Sequence, residues 1–347
     1  MDCLLQDIHS SSKPFGGITT VFGGDFQQTL PVVPHGTRAD IVHATIQPSP
    51  LWNNINILHL WQNMHVADHL DKTAFTQWLL DVGHGWSIDS IQPASSVLLP
   101  PEMCCYTEKD LITSVYGSLS LSTTCPHPHF FEHHAILTAT NSDVHLLNSA
   151  ILSLLPSQER TFDSADSYSN ESPTPQENNN IPIEFLHTLN ASGLPITHLQ
   201  LKLGCPIIIL RNIDISRGLC NGTQATIIQM TNRVLLICLL TGSCAGDTAL
   251  IPQITLFPSL LGLDFAINLK RRQFPVQLAF AMTINKSQGQ TLHSVGIDLH
   301  KPVFLHGQLY VALSRATSPQ NVKILLPTGN SANVASNVVY NEVLLDR

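Results

Sequence analysis

Residues 274–316 read FPVQLAFAMTINKSQGQTLHSVGIDLHKPVFLHGQLYVALSRA, and they set the fold class. Val276 to Met282 is an apolar run long enough for one buried strand, and the polar residues Thr283, Asn285, Lys286, Ser287, Gln288, Gly289, Gln290 and Thr291 follow at once. Val295 to Leu299 predicts a second buried strand, and Gly307 opens a helical segment ending at Ser314-Arg315. Strand, polar turn, strand, helix is the order of an α/β protein. In open parallel sheets ligands bind beyond the carboxyl ends of strands, where Thr283 to Thr291 fall. Taken alone, KSQGQ reads as an ordinary polar loop in a βαβ unit.

Further upstream, Leu4, Leu5 and Ile8 have helical spacing, and Pro14 stops that helix. Ile18 to Phe22 is β-branched and predicts a buried strand, ending in Gly23-Gly24-Asp25-Phe26-Gln27-Gln28. Glycines there allow a sharp turn and close approach to a ligand. Leu30-Pro31-Val32 and Thr37 to Val42 follow, then Ile57-Leu58-His59-Leu60-Trp61-Gln62-Asn63-Met64-His65.

TINKSQGQTL and YVALSRA, with GGDFQQ upstream, together resemble the nucleotide- and DNA-coupling motifs of superfamily 1 helicases. The chain is most similar to the petite-integration-frequency (PIF) DNA helicases, in the form carried by Helitron-type rolling-circle transposons. The resemblance implies an α/β, RecA-like P-loop NTPase fold: an incomplete first RecA-like domain and a second carrying an inserted small β-barrel. It also implies an ATP-dependent DNA helicase unwinding 5′ to 3′, with ATP and Mg2+ as cofactors and single-stranded or forked DNA as partner. DNA repair, recombination, telomere maintenance and a nuclear location are implied by the family alone.

Carried over residue by residue, Gly24, Asp25, Gln28, Gly289 and Arg315 would line the nucleotide cleft, with Gln28 and Arg315 catalytic. Gln28 is a neutral amide that both donates and accepts, suited to a γ-phosphate or attacking water. Arg315 would be the finger that neutralises charge on the transferring phosphoryl group, a role worth on the order of a thousandfold or more in rate. Thr283, Lys286, Ser287 and Gln288 would contact DNA, as would Arg211 and Asn212. A structural role for that last pair, tying the barrel to its host sheet, stays equally open. His65 departs from the family, standing where an arginine is expected; a mostly neutral imidazole offers one donor against five.

Between these motifs, Phe75, Trp78, Leu79 and Val82 predict a packed helix, and Ala135 to Thr138 a strand. Thr140 to Ser142 offer a cap for a helix with Val144, Leu147, Ile151 and Leu154 on one face. Residues 160–180 are polar and read as a flexible connection. Strands are expected at 206–210, 224–230, 233–240 and Asn321 to Leu326. The domain reading is residues 1–62, 63–205, an inserted barrel at 206–270, 271–326, and a tail from 327 without signal.

No G-x-x-x-x-G-K-[ST] occurs, and no apolar strand ending in Asp-Glu precedes residue 16. The expectation is a helicase truncated inside its first RecA-like domain and inactive alone. The alternative is a degenerate transposon remnant that binds single-stranded DNA or a partner without catalysis.

Composition bounds the rest. At 347 residues, 12% charged and 43% apolar, the chain can bury sizeable cores, and no run approaches the ~20 apolar residues of a membrane span. The start, MDCLLQDIHS, lacks the features of a signal peptide, so an intracellular protein is expected. Eight cysteines without a CxxC pair predict free thiols. Cys125, His127, His129, Glu132, His133 and His134 fit no standard zinc spacing, so no metal is assigned and a solvated loop is expected. The net charge of -8 argues against a general nucleic-acid binder, leaving Lys270, Arg271, Arg272 and Lys286 as the basic cluster near the motifs.

Overall fold

The computed structural model describes residues 1–60, 70–86, 95–121, 127–169, 182–189, 193–258, 268–327, 329 and 332–344. In chain order its elements begin with α1 (Asp2–His9), α2 (Arg38–His43), α3 (Leu70–His84), β1 (Ser96–Leu98), β2 (Cys104–Cys105), α4 (Glu108–Leu121) and α5 (Pro128–Glu132). Next come β3 (His134–Thr138), α6 (Asn141–Leu154), β4 (Glu159–Asp163), β5 (Ala165–Ser169), α7 (Ile183–Thr188), β6 (His198–Lys202) and β7 (Pro206–Ile209). The chain continues with β8 (Gln224–Met230), β9 (Val234–Leu239), β10 (Thr248–Pro252), β11 (Ile254–Leu256), β12 (Asn268–Gln273) and β13 (Val276–Leu278). It ends with β14 (Ala281–Thr283), β15 (Ser294–Asp298), α8 (Gln308–Leu313), β16 (Val322–Leu325) and β17 (Val334–Ser336).

The centre is a parallel sheet in the order β14-β3-β15-β16-β2. Its strands are buried on both faces, as parallel strands covered by helices must be. Ile136 faces a cluster holding Leu111, Val115, Leu147 and Ile151 of α4 and α6. Its neighbour Leu137 faces Val82 of α3 and Leu309 and Leu313 of α8. The predicted α6 face is confirmed: Val144, Leu147 and Ile151 are buried, and the Thr140 hydroxyl caps the helix. Phe75 and Val82 of α3 are likewise buried, with Trp78 and Leu79 packed beside them.

The second sheet is antiparallel, in the order β10-β9-β8-β7-β13. The strands expected at 206–210, 224–230 and 233–240 all belong to it. Among the described residues its pairing does not close into a ring, and its core runs continuously into that of the parallel sheet.

Val276 to Met282 is not one strand. β13 pairs with β7 in the antiparallel sheet, whereas β14 pairs with β3 in the parallel one. The crossover strands backbone groups in the core, and a buried side chain meets them. Asn148 of α6 donates to the Leu278 and Ala281 carbonyls at 3.2 and 3.1 Å and accepts from the Ala281 amide at 2.8 Å. An unsatisfied buried backbone group is costly, so this amide allows one chain to serve two sheets.

Three other expectations change. Ile18 to Phe22 forms no paired strand among the described residues, and Val21 is 88% exposed. β-branched propensity yields a strand only where a neighbour supplies hydrogen bonds and a packing face. Indeed no residue from 1 to 60 is buried. The polar stretch 160–180 begins as structure: β4 pairs with β6 and β5 with β12, while residues 170–181 lie outside the described residues. Its polar residues conceal an anchor, because Asp166 receives the buried Arg271, whose Nε lies 3.0 Å from both carboxylate oxygens. Arg271, 1% exposed and bonded also to the Pro195, Leu186 and Leu189 carbonyls, therefore leaves the basic cluster. Finally, Pro128–Glu132 is a short helix rather than a loop, with His129 paired to Glu132 at 3.0 Å. His65 and Cys125 lie outside the described residues.

Candidate nucleotide and DNA site

The turn after β14 and the end of α8 meet at the carboxyl edge of the parallel sheet. Thr283 closes β14, and residues Ile284–Ser287 make one tight helical turn. Gly289 then adopts φ +76°, a left-handed conformation that only glycine takes without strain. The Ser287 hydroxyl is fully buried and donates to the Ile284 carbonyl at 2.7 Å. It braces the turn and is withdrawn from the direct DNA contact expected of it. Lys286 keeps an exposed side chain, although nearby protein atoms lower its pKa below the usual lysine value. Gln288 is exposed.

Arg315 follows α8 and is 8% exposed. Its guanidinium turns inward: Nη1 donates to the Gln290 carbonyl at 3.0 Å and the Ser287 carbonyl at 3.4 Å, Nε to Val311 at 3.0 Å, and Nη2 to the Ser314 hydroxyl at 2.9 Å. Burial lowers its pKa, partly offset by Tyr310 and Asp25. The arginine is thus the brace between α8 and the TINKSQGQ turn.

The GGDFQQ segment comes to the same place. Asp25 Oδ1 accepts from the Gln27 amide at 2.9 Å, and Gln28 N–H donates to the Asp25 carbonyl at 3.2 Å, closing a turn. Gly23 and Gly24 do not need left-handed backbone for it, so the expected conformational reason for them fails. What stands beside Gly24 is open space, with no atom within 4 Å of the position a Cβ would take. The Gln288 amide donates to the Thr29 hydroxyl at 2.8 Å and to Gln28 Oε1 at 3.4 Å. Asp25, Gln28, Gln288 and Arg315 therefore form one neighbourhood built from both ends of the chain.

Arg211 and Asn212 are differently employed. Arg211 donates to the Phe257 carbonyl at 2.8 Å, and Asn212 Oδ1 accepts from the Asn221 amide at 2.8 Å. Both bonds run to other residues of the 206–270 segment, so these side chains brace that segment internally. Two residues given no site role in the sequence, His306 and the helix-opening Gly307, hold the site together. His306 Nε2 donates to the Phe26 carbonyl at 2.7 Å, and Gly307, at φ +68°, passes so close that a Cβ would lie 2.1 Å from the Gln27 carbonyl oxygen. An HG pair before a helix carries no pattern that foretells either contact.

A family model described as PIF1-like helicase matches residues 1–92, and one described as the DNA helicase Pif1 2B domain matches residues 184–230. The ATP-dependent DNA helicase PIF1 of Rattus norvegicus is 35% identical over 340 residues, covering 94% of this chain. The chain is thus similar to PIF1-like helicases in two separate segments and along most of its length. The PIF1 helicase of Danio rerio is 27% identical over 325 residues, also across 94% of the chain. The chain spans 43% of the length of each of these two relatives. The fold agrees with that of Candida albicans Pif1 helicase, at TM-score 0.58, 23% identity, and coverage of 99% of this chain and 71% of that one. Bacteroides Pif1, solved bound to single-stranded DNA, aligns at TM-score 0.60 and 21% identity, across 100% of this chain and 68% of that one. The architecture is accordingly the α/β fold that these Pif1 helicases share.

Proposed function

We propose that this chain forms the second motor half, and the facing edge of the first, of an ATP-dependent DNA helicase acting on single-stranded or forked DNA. The observation that supports it most is the meeting of Gln288 with Gln28 and Thr29 beside the Arg315 brace. A triphosphate lying in the open space by Gly24 would have its terminal phosphate between the Gln28 amide and Arg315. Phosphoryl transfer asks chiefly for positioning and neutralisation of charge, and an amide with a guanidinium suits that end of ATP. To reach a phosphate, Arg315 must give up carbonyl bonds to the 287–290 turn, so nucleotide and DNA loop would move together.

The donor set does not fit Mg2+. Asp25 is the carboxylate of the cluster, and its oxygens already receive the Gln27 amide and the Gln28 side chain, with Tyr310 facing it. On the DNA side, Lys286 and Gln288 are the exposed polar groups of the turn, matched to phosphate oxygens. No helix among the described residues is long and apolar enough to cross a membrane. A nuclear site of action is part of the proposal on the family resemblance alone.

The test is single-stranded-DNA-stimulated ATP hydrolysis by this chain beside Arg315→Ala. The chain alone is expected to be inactive. Robust hydrolysis abolished by Arg315→Ala would overturn that expectation while upholding the arginine's role; hydrolysis indifferent to Arg315 would sink the assignment.

A further inference from the structure

His306 sits where three separate parts of the chain touch, and it is 2% exposed. Nε2 donates to the Phe26 carbonyl at 2.7 Å, inside the Asp25–Gln28 turn, while Nδ1 accepts from the Tyr340 amide at 2.8 Å. One nitrogen donates and the other accepts, so these partners define the neutral ring with its proton on Nε2. The next residue, Gly307, receives the turn's backbone at a distance no side chain permits, and its own N–H donates to the Val338 carbonyl at 3.0 Å.

The tail that supplies Tyr340 also grips the N-terminal segment. Arg38 pairs with Glu342 at 2.7 Å and stacks over Tyr340 at 4.3 Å, and Gln47 donates to the Val343 carbonyl at 2.9 Å. Asn337 donates to the Val82 carbonyl of α3 at 2.8 Å. A segment that carries no signal in sequence is therefore a strap joining residues 1–60 to the parallel-sheet body, and His306 lies beneath it.

We propose that His306, as the neutral imidazole, is a positioning residue that holds the Gln28 turn on Gly307, the residue just before the helix leading to Arg315, with residues 338–343 as its backing strap. The proposal rests on the nucleotide-cleft reading for its functional meaning, but the clamp itself is a matter of geometry. Gln28 and Arg315 can face one phosphate only while the turn stays seated on Gly307.

Protonation would put a second N–H at Nδ1, directly against the Tyr340 N–H, and break that bond. The charged groups facing the ring are Arg38, which disfavours the cation, and Asp25 and Glu342, which favour it; burial outweighs them and lowers the pKa below the ordinary 6.5. A depressed imidazole pKa means that the clamp is intact above that ordinary value and is lost as pH falls through the lower folded value.

Hydrogen exchange of the Gln27 and Gln28 amides in the full chain, corrected for intrinsic pH effects, reads the clamp without nucleotide. Protection in the wild type should fall between pH 7.5 and 5.5. His306→Gln, which keeps a donor toward Phe26, should retain protection and lose the pH dependence. His306→Leu should lose about tenfold in protection at pH 7.5, the scale of one hydrogen bond. Wild-type protection in the leucine variant, or the same pH profile in wild type and His306→Gln, overturns the proposal. Should His306→Leu fail to fold, the pH comparison with His306→Gln still decides. These exchange rates are read without nucleotide or DNA, so the clamp stands or falls separately from the helicase reading.

Discussion

Gln288 donates its side-chain amide to Gln28, 260 residues earlier in the chain, at 3.4 Å. Each lies in a polar turn, one in GGDFQQ and the other in TINKSQGQ, and the contact makes them one surface. Arg315 backs that surface by holding the carbonyls of Ser287 and Gln290. On the proposed reading, a change at the nucleotide end has a short physical route to the loop assigned to DNA.

Gly307→Ala should dislodge the Gln28 turn. Left-handed backbone costs an L-residue roughly 1–2 kcal/mol, and here the new Cβ would also lie 2.1 Å from the Gln27 oxygen, a backbone atom that cannot swing away. Gly289→Ala shares the strain, at φ +76°, but meets nothing within 4 Å. Denaturant titration and exchange at Gln27 and Gln28 should show the first variant more destabilised and locally opened, the second destabilised only.

Asn148→Leu should cost at least about 3 kcal/mol. It strands two buried carbonyls and one buried amide at the crossover from β13 to β14, and each unsatisfied group costs roughly 1–3 kcal/mol. Urea unfolding is the measurement; a loss under 1 kcal/mol would show that the crossover does not depend on this side chain.

Arg271→Met and Asp166→Asn should each be strongly destabilising, about 3–5 kcal/mol, because each leaves its partner buried and unmatched. The double variant should recover part of the loss. A full thermodynamic cycle checks this, and additive losses would mean that the pair is not coupled.

Burial pushes the Cys105 thiol up to about 11 from an ordinary 9.0, with Asp110 adding to the shift. Since thiolate is the reactive form, alkylation at pH 8 should run about a hundredfold slower than for an unshifted thiol, and should accelerate as pH rises toward that value. Peptide mapping of alkylation against exposed Cys3 would show it.

Much of the body was legible because its signals are local. β3, β15 and α6 follow from apolar runs and the Thr140 cap, and YVALSRA marks the helix end where Arg315 stands. What sequence conceals is tertiary. Val276 to Met282 looks like one strand, but Asn148, far away in the chain, permits it to change sheets. Ser287 looks like a phosphate ligand in a polar motif, yet its hydroxyl is spent inside the turn. Ile18 to Phe22 has strand residues without a neighbour to pair with, and nothing in the tail's composition foretells that Tyr340 and Glu342 reach back to His306 and Arg38.

The central claim is that the Gln28 turn and the loop braced by Arg315 form a single cleft, and short-range crosslinking tests it most directly. With Cys at positions 28 and 288, Gln28→Cys and Gln288→Cys, a minimal-length bismaleimide should join the two turns rapidly in the folded chain, and His306→Leu should slow the reaction. A chain that stays uncrosslinked while correctly folded, or that links position 288 only to other cysteines, would contradict the shared cleft and the functional assignment built on it.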